Sequence, residues 1–182
     1  MSTKTESIAT TKWTIDPTHS EVTFKVKHLM ISTVTGKFKV FEGSAESEGG
    51  EFQKLKDIEF KADVKSIDTS NEQRDEHLRS GDFFEVEKHP YLVFKAETFD
   101  VNSDTVEGQL TIKDVTKPVT LDVEFGGVVV DPYGQTKAGL TVSGKISRKE
   151  FGLTYHAVTE AGNVVLGDQI KLNVEVQFVK QA

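Results

Sequence analysis

Eight stretches of this chain alternate apolar and polar residues with a period of two, a pattern that admits little besides β-strands. The first places Val22, Phe24, Val26 and His28 on one face, with Glu21, Thr23, Lys25 and Lys27 on the other. The pattern returns in Val34, Gly36, Phe38 and Val40, then in Ile58, Phe60, Ala62 and Val64. Leu92, Phe94 and Ala96 follow, then Val106, Gly108, Leu110 and Ile112, then Val119, Leu121, Val123 and Phe125. The last two runs are Ala138, Leu140, Val142, Gly144 and Ile146, and Ile170, Leu172, Val174, Val176 and Phe178. One polar face per run marks antiparallel strands with water on one side. Turns are expected at Glu48-Gly49-Gly50-Glu51, Val115 to Pro118, Asp131-Pro132-Tyr133-Gly134 and Ala161-Gly162-Asn163. Periodicity alone does not choose between a sandwich, which leaves strand edges to protect, and a barrel, which has none.

One segment breaks the alternation. From Ser66 to Phe94 the chain reads SIDTSNEQRDEHLRSGDFFEVEKHPYLVF, and a short helix is expected over about 71–80. Thr69 with Glu72, and Ser70 with Gln73, fit the reciprocal cap that satisfies the first free amides of a helix. Gly81 supplies a left-handed stop. Leu78 is the only large apolar residue between these signals, so the helix lacks an apolar stripe to dock with. It has to be tied by Arg74, Asp75 and His77, with an Asp75–Arg79 ion pair at the favourable spacing, and anchored by Phe83 and Phe84. Arg74 and His77 are placed to reach rim carbonyls together. A helix of this kind acts as a plug or lid.

The same residues carry a resemblance. Asp68-Thr69, Arg74-Asp75-x-His77-Leu78, Asp82-Phe83-Phe84 and His89-Pro90-x-x-Val93-Phe94 resemble the YceI-like family of polyisoprenoid-binding, lipocalin-like proteins. Upstream, Trp13-x-Ile15-Asp16-x-x-His19-Ser20, Phe24-x-Val26-x-His28 and Gly36-x-Phe38 continue the match. Downstream it runs through Gly108-x-Leu110-Thr111-Ile112, Val115-Thr116-Lys117 and Arg148-x-x-Phe151-Gly152-Leu153. A departure is Lys113-Asp114, where the family often has a His-Gly turn. The resemblance implies an all-β fold: an eight-stranded antiparallel lipocalin-like barrel with the helix at one barrel end. It also implies an elongated apolar pore for an isoprenoid-type lipid, and a homodimer. The expected organisation is a flexible tail over 1–11 and one barrel domain over 12–182.

A barrel of eight strands is at the size where side chains either fill the interior or leave room for one ligand. The inward set mixes phenylalanines with Gly36, Ala62, Ala96, Gly108, Ala138 and Gly144, and both outcomes fit that mixture. The resemblance favours a cavity. The expected ligand-binding residues are Phe24, Val26, His28, Phe38, Phe60, Phe83, Phe84, Phe94, Leu110, Val123, Leu140, Val142 and Phe151. A buried isoprene unit would contribute roughly 3 kcal/mol at about 0.8 kcal/mol per methylene. His28, alone and titratable in an apolar row, is either a satisfied rim histidine or a donor to a lipid head group. His19, after Asp16-Pro17, reads as a turn residue. Alternative cargoes are an isoprenoid quinone, a fatty acid or a fatty amide.

Other function classes fit less well. Arg74, Asp75 and His77 invite an enzymatic reading on such a lipid, but no serine or cysteine stands in a nucleophile motif. The expectation is a binder rather than an enzyme, with a ligand-free scaffold for protein contacts as a further alternative. The five histidines lack metal-site spacing and cysteine is absent, so neither metal nor cofactor is expected beyond a bound lipid. A net charge of -7 with interspersed signs argues against nucleic acid. No stretch is long and apolar enough for a membrane span. The polar first dozen residues carry no secretory signal, so a cytoplasmic location is expected, or a periplasmic or secreted one if the chain is a trimmed mature form.

Overall fold

A computed structural model describes residues 9–29, 31–154 and 166–181. The described residues form eleven antiparallel strands and one α-helix. In chain order the strands are β1 (Thr10–Ile15), β2 (Glu21–His28), β3 (Ser32–Phe38), β4 (Phe41–Glu48), β5 (Lys54–Asp63) and β6 (Ile67–Asp68). The helix α1 (Glu72–Arg79) follows. Then come β7 (Tyr91–Asp100), β8 (Thr105–Ile112), β9 (Val115–Val130), β10 (Thr136–Ser147) and β11 (Leu166–Lys180).

Eleven segments make only eight ribbons. Residues 166–175 of β11 pair with β2, and residues 178–180 pair with β1, so β1 and β2 lie end to end as one broken ribbon. β4 pairs with β1 and β3 with β2, which makes the second. β5 pairs with β4 and β6 with β3, which makes the third. The remaining five ribbons are β7 to β11, and the pairing of β11 with β1 and β2 closes the ring. This is an eight-stranded antiparallel barrel, and each expected apolar run falls on its own ribbon. The three breaks lie side by side, and Ser66 stitches two of them. Its hydroxyl donates to the carbonyl of Asp63 at 2.6 Å and accepts from the amide of Val40 at 3.0 Å.

β1, β4 and β6 were not among the expected strands. β4 alternates, but its inward residues after Phe41 are Gly43, Ala45 and Ser47, too small to register as an apolar face. They are small because β1 fills the space opposite. A Cβ on Gly43 would meet the Ile15 side chain at 2.4 Å, and Trp13 lies fully buried beside Ala45. Thr10 and Thr11, counted with the tail, already belong to β1. Val40, expected on the inner face, sits in the break between β3 and β4 and is 57% exposed.

One turn also differs from expectation. Val115 to Pro118 lies within β9, and the reversal is made by Lys113-Asp114, with Lys113 in the left-handed region at φ 58°. Pro118 is tolerated because only β8 pairs with β9 there, β10 joining at Asp122. The Asp131 turn forms as expected, its carboxylate accepting from the amides of Tyr133 and Gln135, with Gly134 at φ 80°. The Ala161-Gly162-Asn163 turn lies outside the described residues.

One barrel end is sealed by aromatics. Phe52, in the loop between β4 and β5, meets Trp13 edge-on at 4.9 Å, stacks on Phe125 at 5.9 Å and tilts against Phe178 at 5.6 Å. Trp13 Nε1 donates to Ser47 Oγ at 2.9 Å, and both side chains have no exposure. Ser47→Ala should therefore strand a buried donor and cost about 1–3 kcal/mol in urea unfolding. A loss near zero would show that the indole finds another partner.

Candidate functional site

The inward faces leave two apolar chambers that share part of their lining. The first, of about 140 Å³, is walled by residues including Phe60, Phe94, Leu110, Val123, Leu140 and Val142. The second, of about 120 Å³, lies beneath the helix against Val26, His28, Leu78, Phe83 and Phe84. Phe24, Phe38, Leu92, Ile146 and Leu172 line both and mark a waist between them. Of the expected binding residues, Phe151 alone lines neither. It is 2% exposed within a compact cluster that includes Ile112, Ile146 and Leu153, a wall element rather than a contact surface. Leu78 and Arg148 line the second chamber without having been expected there.

Three of the large inward side chains lie over glycines of the wall. Phe24 faces Gly36 across the β2–β3 pair, and its ring lies over the glycine so closely that a Cβ there would sit 2.3 Å from the ring tip. Phe94 covers Gly108 in the same way, and Leu121 covers Gly144. Glycines thus let big side chains lie along the wall, which is how a mixture of large and small residues leaves space.

Polar residues gather at the helix end. Thr69 is 4% exposed and Asp75 3% exposed. The Thr69 amide and hydroxyl both donate to Asp75 Oδ1, at 2.9 and 2.6 Å. Arg74 Nε donates to the same hydroxyl at 2.7 Å, and its Nη2 to the Thr69 carbonyl at 2.7 Å. Thr69 thus ties the helix to the end of β6. Its cap differs from expectation. Thr69 is committed to Asp75, and the Ser70 amide is held by Asp68 with Ser70 at φ 62°. Asn71 caps instead, accepting from the Arg74 amide at 3.0 Å. The helix stops at Ser80, whose amide donates to the His77 carbonyl, and Gly81 is not left-handed.

The expected Asp75–Arg79 pair is also replaced. Arg79 donates to the carbonyls of Lys65 and Ile67 and lies 3.4 Å from Glu72. His77 Nε2 turns outward to Asp82 at 2.8 Å rather than to a rim carbonyl. Arg74 and Asp75 therefore meet on Thr69, whereas His77 points away from them to Asp82. Phe84 packs edge-on against Phe38 at 6.3 Å, joining the post-helix segment to the waist.

Arg148 is the deepest cation, 1% exposed. It donates to the carbonyls of Leu153, Leu166 and Gly167 at 2.6, 3.2 and 2.8 Å, on both sides of residues 155–165. Burial lowers its pKa, against the attraction of Asp168. Asp168 in turn lies below its ordinary value, first because the Ser147 hydroxyl donates to it at 2.5 Å, with the Lys149 amide also donating. His19 does stand in a turn, and its hydrogen bond at 2.8 Å is the main cause lowering Asp16, which also meets Lys137 at 3.3 Å. Among the described residues, no cluster of three His, Asp or Glu could hold a metal, and no helix is long and apolar enough to cross a membrane.

The sequence matches the YceI-like domain over residues 13–178. The chain belongs to the YceI-like family. It is 41% identical over 171 residues to a UPF0312 protein of Staphylococcus epidermidis, covering 92% of this chain and 97% of that one. Among solved structures, the Campylobacter jejuni YceI protein superposes with a TM-score of 0.71 at 32% identity, over 86% of this chain and 90% of the other. Two more distant structures share the fold. Burkholderia cenocepacia BcnA has a TM-score of 0.72 at 18% identity, covering 90% of this chain and 98% of its own. A polyisoprenoid binding domain from Saccharophagus degradans has 0.68 at 14% identity, over 93% and 98%.

Two outcomes test this end of the barrel. Thr69→Val removes the hydroxyl shared by Asp75 and Arg74, and should speed amide exchange over residues 71–84 by at least roughly tenfold, while β7 to β11 stay protected. Uniform loss of protection would place Thr69 in the global fold instead. Asp168 is depressed in the folded state, so its contribution is complete above its ordinary value of 3.8 and is lost as pH falls through the folded value. Asp168→Asn should therefore lower stability at neutral pH and flatten its fall below about pH 4, measured by urea unfolding along a pH series. An unchanged acid slope would show that other carboxylates carry it.

Proposed function

We propose that the barrel binds, and thereby sequesters or carries, a polyisoprenoid or similar long-chain amphiphile. The observation that carries this reading is the lumen itself: two apolar chambers that share wall residues inside a closed ring of strands. Such a space recognises a chain by shape and apolar area, without directional contacts to the tail. His28, Thr69, Arg74 and Arg148 stand around the second chamber, but the surface it exposes is apolar, so both chambers suit a tail rather than a head group. The description of the Saccharophagus domain as polyisoprenoid binding agrees with this reading. An isoprenoid quinone or fatty acid would use the same arrangement with a different head group.

Entry belongs at the helix end. The opposite end is closed by Phe52 and its aromatic neighbours, 3% exposed at the centre, whereas the helix is held mainly by hydrogen bonds. Binding without chemistry is the role these groups support, since Asp75 and His77 serve separate structural partners. The test is organic extraction of the purified protein followed by mass spectrometry. A stoichiometric long-chain lipid is the expected result. A shortened, product-like fragment would favour an enzyme, and an empty extract together with no uptake of added lipid would favour a scaffold.

A further inference from the structure

The two chambers are small for a long tail. Each is close to the roughly 150 Å³ of an engineered cavity that holds one benzene molecule. One benzene has about the bulk of one isoprene unit, so the closed lumen accommodates roughly one unit on each side of the waist. A longer chain has to pass the residues shared by both chambers. Among them, Phe24 is the one whose ring rests on a glycine. Its tip would lie 2.3 Å from a Cβ on Gly36, and its centroid is 5.5 Å from that of Phe38 on the same side of the waist. Gly36 is therefore a resting place for the ring, and the ring is the movable part of the partition.

We propose that Phe24 and Gly36 together set the tail length this barrel accepts. The missing Cβ at position 36 is what lets the ring lie against the wall. Any side chain there drives the ring off the wall and narrows the passage between the chambers. Gly36 suits the experiment because the clashing atoms are the far end of a side chain, which can turn. Its relative Gly108 does not, since a Cβ there also meets the Lys95 carbonyl at 2.6 Å, and the wall itself would have to shift. The proposal rests on the lipid-binding reading and adds to it a specificity-determining pair.

The experiment compares binding of isoprenol, geraniol, farnesol and geranylgeraniol, which differ by one isoprene unit at each step. Gly36→Ala should weaken the longer prenols by at least roughly tenfold relative to isoprenol, about 1.4 kcal/mol. Adding Phe24→Ala removes the displaced ring and should restore them. Equal loss for all four prenols, or no restoration in the double variant, would overturn the pair as a length determinant. If Gly36→Ala does not fold, Phe24→Ala alone decides: a shift of preference towards longer prenols supports the proposal, and an unchanged order overturns it. A readout without lipid separates this from the function itself. Xenon under pressure should occupy two distinct sites in crystals of the unaltered protein and one continuous cavity in Phe24→Ala. Two sites with no prenol binding would sink the carrier reading and keep the partition, whereas one continuous site in the unaltered protein would sink the partition.

Discussion

Closure of the sheet is the constraint on which the rest depends. β11 binds β10 along one edge and both β1 and β2 along the other, which closes the ring, and among the described strands β6 alone keeps a single neighbour, β3. Once the ring closes, the period-two alternation has one meaning only: one face is water and the other is lumen. The breaks in the first three ribbons follow from the same requirement. A ribbon as long as β1 with β2 has to bend to stay on a small barrel, and it does so at Asp16 to Ser20, where Pro17 removes a donor and the Asp16 carboxylate takes up the Thr18 amide. Neighbouring ribbons bend at the same level because their registers are locked to it.

What was legible in the sequence follows this division. Inward residues with substantial apolar bulk announced themselves, and each of the eight runs fell on its own ribbon. Strands whose inward residues are small did not. β4 faces the lumen with Gly43, Ala45 and Ser47 because Trp13 and Ile15 fill the volume from the next strand, a relation between two ribbons that no single run displays. The helix was legible in existence and place but not in its ties. Thr69, Ser70 and Asn71 are all competent caps by type, and the choice fell to Asn71 because Asp75 claims Thr69 from within the fold. Arg148 stood in a quoted motif, yet its role needs Leu153, Leu166 and Gly167 brought together across a connection of many residues. Of the chamber residues, Phe24, Phe38, Phe60 and Phe94 were readable from alternation, whereas Leu78 was visible only as the lone large apolar residue of a polar helix.

The two barrel ends are built from different interactions, and that difference assigns them different roles. Phe52 with Trp13, Phe125 and Phe178 forms a seal of ring contacts, whose apolar area is lost all at once if it opens. The helix end is held by directed bonds centred on Thr69, with Arg79 on the carbonyls of Lys65 and Ile67. Opening this end brings water to both partners of each bond at once, so the bonds that break are replaced by bonds to water. A closed barrel that has to admit a bulky chain without parting its strands needs one end of each kind.

Aromatic contact also joins the helix end to the middle of the lumen. Phe84 follows the helix and meets Phe38, and Phe38 meets Phe24 at the waist. Displacing the segment after the helix therefore removes packing from Phe38, which in turn packs against the Phe24 ring. Opening of the entrance and widening of the partition would then be one motion rather than two. The coupling needs no long-range mechanism, since three rings in contact suffice and each step is a loss of side-chain packing. It also explains why the phenylalanine pair beyond the helix is divided in its tasks. Phe83 belongs to the compact cluster around Ile112 and Phe151, which anchors the segment, whereas Phe84 reaches the residues that have to move.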